Sequence, residues 1–375
     1  MEVAAYPPGV TPHDLAAAAA AVDQMESEAR MPADLAARFT GSGLFSQLVP
    51  TSLGGAEAHP AQLVATIEAV AAVNASAGWC VMISSTTSAM SGWMPTAGAA
   101  DVFGDPLGIW GGAYAPMGRA IREGDDWRLS GAWSWGSGSQ NATWLAGGAV
   151  CDDGGIRLLF MPASEVTITP NWDVMGLRGT GSHDWSVSDV LVPVERSVDL
   201  FSGSPVESGA LYRFPLFGLL ALGISGVSLG LAAAALDELT TLAGAKTPSL
   251  QRRKLAERGT VQAEVARSTA VLRAARAYVM AAIDDAWAAA SAGDEPTMAQ
   301  RADLRLAATH AAHSCVDVVR SAYTLAGGTA VRNDSPLGRH LRDVHVVTQH
   351  LMVSPVTFET TGRVLLGLPV ELAEL

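Results

Sequence analysis

Cysteine and positive charge are both scarce in this chain. Its 375 residues include only three cysteines, Cys80, Cys151 and Cys315, which are far apart and form no CxxC pair. Such spacing excludes a disulfide framework or a zinc ribbon and fits a reducing cytoplasm. Lysine and arginine number 24 against 37 aspartate and glutamate residues, for a net charge of −13. Because the sequence shows no clustered basic surface, we expect no nucleic-acid partner.

Charged side chains of either sign are few, at 16%, whereas hydrophobic residues make up 49% of the chain. This balance excludes a disordered protein and indicates extra buried area of the kind found at subunit interfaces. The N-terminus lacks a basic segment followed by an apolar run, so the sequence predicts no secretory signal.

One long stretch, residues 214–236, has no charged residue over 23 positions and is long enough to cross a bilayer. Four glycines interrupt it, and neither an aromatic belt nor clustered lysine and arginine flanks it. We therefore predict a helix buried on all sides within a helical bundle and no membrane partner.

Three regions differ in their residue patterns, and we predict a domain for each. Residues 1–105 show helical periodicity, with apolar residues three and four apart at 60–73. Residues 106–205 are rich in glycine, tryptophan and alternating patterns, which predicts an antiparallel β domain, sandwich or barrel, with a hairpin turn at 123–126. Residues 206–375 return to long helices, at 214–236, 261–290, 298–326 and 336–353, which predicts a four-helix bundle.

Four segments, in order along the chain, resemble the acyl-CoA dehydrogenase superfamily. They are SGLFSQLVPTSLGG at 42–55, GAWSWGSG at 131–138, GLRGTGSHD at 176–184 with DVLVP at 189–193, and AGG at 326–328 with PLGR at 336–339 and RD at 342–343. The resemblance implies an α+β fold with a helical N-terminal domain, a middle β domain and a C-terminal four-helix bundle. It also implies FAD or FMN as cofactor, and a dimer or tetramer of identical chains.

A flavin ring needs a flat apolar wall and donors at its polar edge. Trp133 is expected to contact the ring and Ser137 to place a hydroxyl near N5, although both tryptophans of the segment, Trp133 and Trp135, could instead be core of the β domain. The full set of flavin-binding candidates is Tyr114, Ala115, Pro116, Trp133, Trp135, Ser137, Gly138, Thr180, Ser182 and Arg253.

The segment at 114–118 separates two branches of the superfamily. Dehydrogenases carry a Thr-Glu-Pro signature there, and this chain has Tyr114, Ala115 and Pro116 instead. The AP.G.A form of this segment, the W.W.SG form at 133–138 and the AGW at 77–79 resemble the flavin-dependent monooxygenases of the superfamily. The resemblance therefore favours oxygen chemistry over thioester dehydrogenation.

Candidate catalytic residues differ between these branches. A dehydrogenase needs a carboxylate base, and Asp334, six residues after the Gly327–Gly328 pair, occupies that slot, although it also suits a helix start. In the monooxygenase branch a histidine eight residues after the arginine of the RD pair faces the flavin, and His350 holds this position. His350 could hold a C4a-hydroperoxyflavin or act as a base on a phenol, whereas His345 is a weaker candidate.

Other polar groups suit structural roles better. His310 and His313 are three apart on a predicted helix but have no third metal ligand, so no metal site is expected. A basic stretch is formed by Arg252, Arg253, Lys254 and Arg258. The resemblance implies that it meets a flavin pyrophosphate across a subunit boundary, as in the family, and a solvated loop is the alternative.

The leading hypothesis is a two-component monooxygenase that receives reduced flavin from a separate reductase and hydroxylates a small aromatic or polyketide-like substrate. A first alternative is an acyl-CoA dehydrogenase with bound FAD and Asp334 as base. A second is a non-catalytic subunit that keeps the fold and pairs with an active homologue.

Overall fold

The described residues up to Phe103 form helices, as predicted, and capping side chains mark where three of these helices begin. The computed structural model of the protein describes residues 9–199, 203–249, 251–371 and 375. Asn74 separates two apolar helices, and its side chain accepts a hydrogen bond from the Ala77 N–H at 3.1 Å. The helices of this region are α1 (Pro12–Ala20), α2 (Val22–Glu28), α3 (Ala33–Gly41), α4 (Pro60–Val73), α5 (Ala75–Ser88) and α6 (Thr96–Phe103).

In the described part of the chain, a seven-stranded sheet follows, in the order β5-β6-β2-β1-β3-β4-β7. The predicted hairpin at 123–126 is confirmed, since Glu123 pairs with Asp126 where β1 turns into β2. The strands are β1 (Trp110–Glu123), β2 (Asp126–Gly136), β3 (Trp144–Cys151), β4 (Ile156–Pro162), β5 (Thr167–Thr169), β6 (His183–Pro193) and β7 (Ser197–Asp199).

The prediction of a wholly antiparallel β domain was wrong at one pair of strands. β1 and β3 run parallel, with Trp110 opposite Trp144. The hairpin explains this direction. The end of β2 lies beside the start of β1, and the connection at 137–143 is short, so it leaves the chain at that same end of the sheet. β3 therefore starts next to the start of β1 and runs in the same direction.

The C-terminal region is a helical bundle whose last predicted helix is shorter than expected. α11 ends at Val347 instead of continuing to 353, and a 3-10 turn, Leu351–Val353, follows. His345 therefore lies on α11, whereas His350 lies beyond it, at the N-cap of the turn. The helices are α7 (Ala210–Arg213), α8 (Leu216–Ala245), α9 (Gly259–Ala292), α10 (Met298–Ala326), α11 (Pro336–Val347) and α12 (Val356–Leu365).

α8 contains all but the first two residues of the long uncharged stretch and is a core helix, with 89% of an apolar 18-residue segment buried inside the protein. It packs against α4, α10 and α11. Gly230 permits the close approach to α4, because a Cβ at this position would lie 2.5 Å from the Glu68 carbonyl oxygen. The glycines that interrupt the stretch thus serve helix packing.

Candidate active site

The two tryptophans of β2 have opposite surroundings, and Trp133 belongs to the core of the β domain. Its side chain is 2% exposed, stacks on Trp185 with ring centroids 4.3 Å apart, and donates a hydrogen bond to the Gly148 carbonyl at 2.9 Å. The indole lies in a niche lined by glycines, since a Cβ at Gly118 or Gly147 would come within 2.7 Å of it. The expected contact of Trp133 with a flavin ring is therefore corrected to a packing role.

Trp135 faces outward because the strand is irregular at this point. The pairing of β2 with β6 changes register between Trp133 and Gly136, and Trp135 adopts a φ of 64°. Regular alternation would bury Trp135 on the same side as Trp133, but the bulge leaves it 74% exposed. A left-handed conformation is unfavourable for a residue with a large side chain, and such strain is concentrated at functional sites.

A second bulge lies on the neighbouring strand, at the same end of the hairpin. β1 and β3 change register between Ala113 and Gly118, so the Tyr114–Met117 segment leaves regular pairing. Ala115 and Pro116 are exposed, and Pro116 fits a bulge because it lacks an N–H for the ladder. Since β1 and β2 are antiparallel, this segment and Trp135 lie at the end of the hairpin away from its turn.

The side chain of Tyr114 points inward from this bulge. Its hydroxyl is buried next to Thr87 and makes no hydrogen bond of normal geometry. Burial raises the pKa of the Tyr114 hydroxyl, so the phenol stays protonated at neutral pH. Tyr114 therefore joins the bulge to α5, whereas Ala115 and Pro116 face solvent.

Beyond β2, three hydroxyl groups form a continuous hydrogen-bonded row. The Ser137 and Ser182 Oγ atoms are 2.6 Å apart, and Ser182 Oγ lies 2.7 Å from Thr180 Oγ1. Thr180 in turn donates to the Leu177 carbonyl at 2.8 Å. All three side chains are buried, and the Gly138 N–H donates to the Thr180 carbonyl at 2.8 Å. The structure thus brings together four of the residues that the sequence predicted.

Trp79 of α5 connects this row to His350. The indole N–H of Trp79 donates to Ser137 Oγ at 3.0 Å. The Trp79 and His350 rings meet edge to face, with centroids 5.7 Å apart. Sequence reasoning assigned no role to Trp79, although the AGW segment at 77–79 was the signal that could have identified it.

The protonation state of His350 follows from its surroundings. Desolvation lowers the pKa of His350 to about 4, so the imidazole is neutral at pH 7. Its Nδ1 accepts a hydrogen bond from the Met352 N–H at 3.2 Å. An acceptor nitrogen carries no proton, so the proton of the neutral ring is on Nε2. His350 therefore presents one N–H donor.

The loop at 176–182, which carries Thr180 and Ser182, is attached to α11. The Leu177 N–H donates to the Asp343 carboxylate at 2.7 Å, and Arg342 Nε donates to the Met175 carbonyl at 2.9 Å. Burial raises the pKa of Asp343 to about 7. Asp343 belongs to the RD motif noted in the sequence, but its role in holding this loop was not predicted.

Three predicted residues lie apart from this group. Asp334 is 71% exposed and paired with Arg332 at 3.1 Å, and the hydrogen bond from Arg332 lowers the pKa of Asp334. His345 and Arg253 are exposed, the latter in a loop before α9. Among the described residues, no hydrogen bond or ring contact links Asp334, His345 or Arg253 to His350 or Ser137.

Comparison with known proteins identifies the family of this chain. Residues 222–355 match the family model described as "Acyl-CoA dehydrogenase, C-terminal domain". The chain is 33% identical to indole-3-acetate monooxygenase from Pseudomonas putida over 93% of its own length and 90% of that protein. The chain belongs to the flavin-dependent monooxygenases of the acyl-CoA dehydrogenase superfamily.

Further relatives agree with this family assignment. The chain is 26% identical to the flavin-dependent monooxygenase, oxygenase subunit HsaA, from Rhodococcus jostii, over 92% of this chain and 94% of that one. The structure of XiaF from a Streptomyces species, solved with FADH2 and glycerol, superposes with a TM-score of 0.89. That match has 24% identity and covers 95% of this chain and 94% of the other, so it supports the fold.

The site of this monooxygenase fits a flavin on structural grounds. Trp135 and Met117 expose 74% and 67% of their side chains at the same end of the β1–β2 hairpin. This apolar surface lies beside the buried hydroxyl row that begins at Ser137, so a flat apolar face and a polar edge are available together. No group of three or more His, Cys, Asp or Glu side chains in the described part of the chain is arranged to hold a metal ion.

Proposed function

We propose that this chain is the oxygenase component of a two-component system that hydroxylates a small aromatic substrate. The observation that carries the proposal is the neutral, half-buried His350, whose ring contacts the Trp79 indole that donates to Ser137. The reaction consumes O2 and reduced flavin: one oxygen atom replaces a C–H with C–OH, the other leaves as water, and the flavin is oxidised. When bound, the reduced flavin supplies the activation of oxygen.

His350 acts as a hydrogen-bond donor in this proposal. With a pKa of about 4, its imidazole is a weak base at neutral pH and would not remove a phenolic proton efficiently. Its Nε2–H, fixed by the hydrogen bond from Met352 to Nδ1, is available to hold an oxygen atom. Of the two roles considered for this residue, the structure therefore supports the donor role.

The flavin would be held between the exposed Trp135, the segment at 115–117 and the polar edge at Ser137. Gly138 fixes the backbone beside that edge through its bond to the Thr180 carbonyl. Arg253 is exposed and is proposed to reach a flavin pyrophosphate across a subunit boundary, which would favour FAD over FMN. Replacing Arg253 with glutamine should then weaken binding of FAD more than binding of FMN in an equilibrium titration.

The dehydrogenase alternative has little support in the site. Asp334, its candidate base, is 71% exposed and ion-paired with Arg332, whereas a general base for an α-proton needs a dry position beside the substrate. The non-catalytic alternative predicts a chain that cannot bind flavin, and the apolar and polar surfaces beside Trp135 argue against it.

We also propose that the protein is a homo-oligomer, a dimer or tetramer. The C-terminal segment exposes six large apolar side chains, at Leu351, Val356, Phe358, Leu365, Leu366 and Leu368. Exposed apolar side chains concentrated in one segment are typical of an interface between subunits. Light scattering on the full chain should give a mass of two or four subunits, and a monomer at micromolar concentration would refute this part.

The reaction is tested by supplying reduced flavin from a separate NADH-dependent reductase and following both products. We expect hydroxylation of indoles or phenols by the wild-type protein, with little hydrogen peroxide. His350→Ala should shift the yield towards hydrogen peroxide, because the activated oxygen loses its hydrogen-bond donor. His345→Ala, an exposed histidine five residues earlier, is the matched control and should behave as wild type. An unchanged yield in His350→Ala would refute the role of His350.

A further inference from the structure

The hydrogen bonds of the hydroxyl row have only one consistent direction. Thr180 has a single hydroxyl proton, and it is donated to the Leu177 carbonyl. Thr180 must therefore accept from Ser182 in the 2.7 Å contact between them. Ser182 has then used its own proton, so it must accept from Ser137 in the 2.6 Å contact. The protons of all three hydroxyls point towards Leu177.

The Leu177 carbonyl ends the row and sets the direction in which its hydrogen bonds are donated. It accepts from the Thr180 hydroxyl at 2.8 Å, from the Thr180 N–H at 3.1 Å and from the indole N–H of Trp172 at 3.3 Å. A carbonyl cannot donate, so no proton can run back along the row from this end. At the other end Trp79 donates to Ser137, and an indole N–H cannot accept.

This direction of donation limits the hydrogen bonds that the Ser137 hydroxyl can make to a ligand. Its proton is donated to Ser182 and one lone pair accepts from Trp79, so one lone pair remains and no proton. Reduced flavin carries a hydrogen on N5, whereas N5 of oxidised flavin carries only a lone pair. Ser137 can accept from the reduced form with the row intact. To donate to the oxidised form, Ser137 requires the row to reverse and Thr180 to give up its bond to Leu177.

We propose that Thr180 and Ser182 are positioning residues that fix Ser137 as a hydrogen-bond acceptor, so that the site distinguishes reduced from oxidised flavin. This inference rests on the proposed flavin site. The sequence predicted Thr180 and Ser182 as flavin contacts, but both hydroxyl protons are used inside the row. Ser182 bonds to Ser137 and to Thr180, and Thr180 bonds to Ser182 and to the Leu177 carbonyl. They act on the flavin through Ser137.

The test compares dissociation constants for oxidised and anaerobically reduced flavin. Thr180→Val removes the bond to Leu177 and frees the Ser182 proton, so Ser137 can donate to oxidised flavin without breaking another bond. The dissociation constant for oxidised flavin divided by that for reduced flavin should fall about fivefold to tenfold, which corresponds to the free energy of one hydrogen bond. Thr180→Ser keeps the hydroxyl and should restore the wild-type ratio.

Two further variants make the test specific. Ser182→Ala breaks the same row at its middle and should lower the ratio by a similar factor, which keeps the test open if Thr180→Val folds poorly. Thr361→Val is the matched control, because Thr361 is also 1% exposed and donates to a helix carbonyl at 2.8 Å, but in α12. Thr361→Val should leave the ratio unchanged.

The outcomes separate this inference from the proposed function. If the wild-type protein binds neither form of flavin, the proposed function fails and this inference fails with it. If the wild type binds flavin and hydroxylates substrate, but Thr180→Val and Ser182→Ala keep the wild-type ratio, only the inference is overturned. An equal fall in Thr361→Val would overturn it as well, because the effect would not depend on the row.

Discussion

The neutral state of the half-buried His350 predicts a specific dependence of stability on pH. The pKa of this imidazole is about 4 in the folded protein, below its ordinary value of 6.5, because burial disfavours the charged ring. Between these two pH values the unfolded chain binds the proton and the folded chain does not. Stability is therefore lost as the pH falls from 6.5 towards 4, and at pH 5 the loss from this one group is about 2 kcal/mol.

The assay is denaturant unfolding at pH 7.5 and pH 5, followed by tryptophan fluorescence. In His350→Gln the side-chain carbonyl can still accept from the Met352 N–H, but the group does not titrate. Wild type should lose about 2 kcal/mol more than this variant between the two pH values. His345→Gln, which alters an exposed ring, is the control for substitution of a histidine.

The result that would refute this reasoning is an identical pH dependence in wild type and His350→Gln. It would mean that His350 is hydrated or charged in the folded protein, and the donor role argued for its Nε2–H would lose its basis. The same neutral state predicts that the fraction of reduced flavin used for hydroxylation shows no histidine titration between about pH 5.5 and pH 8.

Three other predictions follow from the site. Trp133→Ala should cost about 3–5 kcal/mol of stability because it empties a packed niche, whereas Trp135→Ala should cost under about 0.5 kcal/mol and instead weaken flavin binding in a titration. Asp343 has a pKa raised to about 7 by burial, so its own contribution to stability falls as the pH rises from 4 to 7. In denaturant unfolding, wild type measured relative to Asp343→Asn should therefore lose about 4 kcal/mol over this range. Asp334→Asn should leave the hydroxylation rate unchanged, since its carboxylate is exposed.

Much of the fold could be predicted from the sequence because the signals are local. Apolar periodicity at 60–73 and the turn residues at 123–126 depend on near neighbours along the chain, and both predictions are confirmed. The end of the last long helix could not be found this way. Residues 348–350 lack proline and glycine, and the chain leaves the helix there because it is held by tertiary contacts such as the bond between His313 Nε2 and the Val353 carbonyl at 3.0 Å.

The proximity of the candidate residues could be predicted in part, and the division has a physical cause. Ser137, Gly138, Thr180 and Ser182 lie in glycine-containing motifs and come together as expected. Which tryptophan is exposed could not be read from alternation, because a bulge reverses the direction of the Trp135 side chain. The link through Trp79 joins residues more than fifty positions apart, and no spacing along the chain encodes such a contact.

The central claim, that this chain inserts oxygen from O2 into an aromatic substrate, is tested most directly by isotope labelling. The protein is mixed with reduced flavin, a panel of indoles or phenols and 18O2, and the masses of the products are measured by mass spectrometry. We expect one 18O atom in each hydroxylated product, and none when the label is in water. Conversion of all the reduced flavin to hydrogen peroxide without any hydroxylated product, or oxygen derived from water, would contradict it.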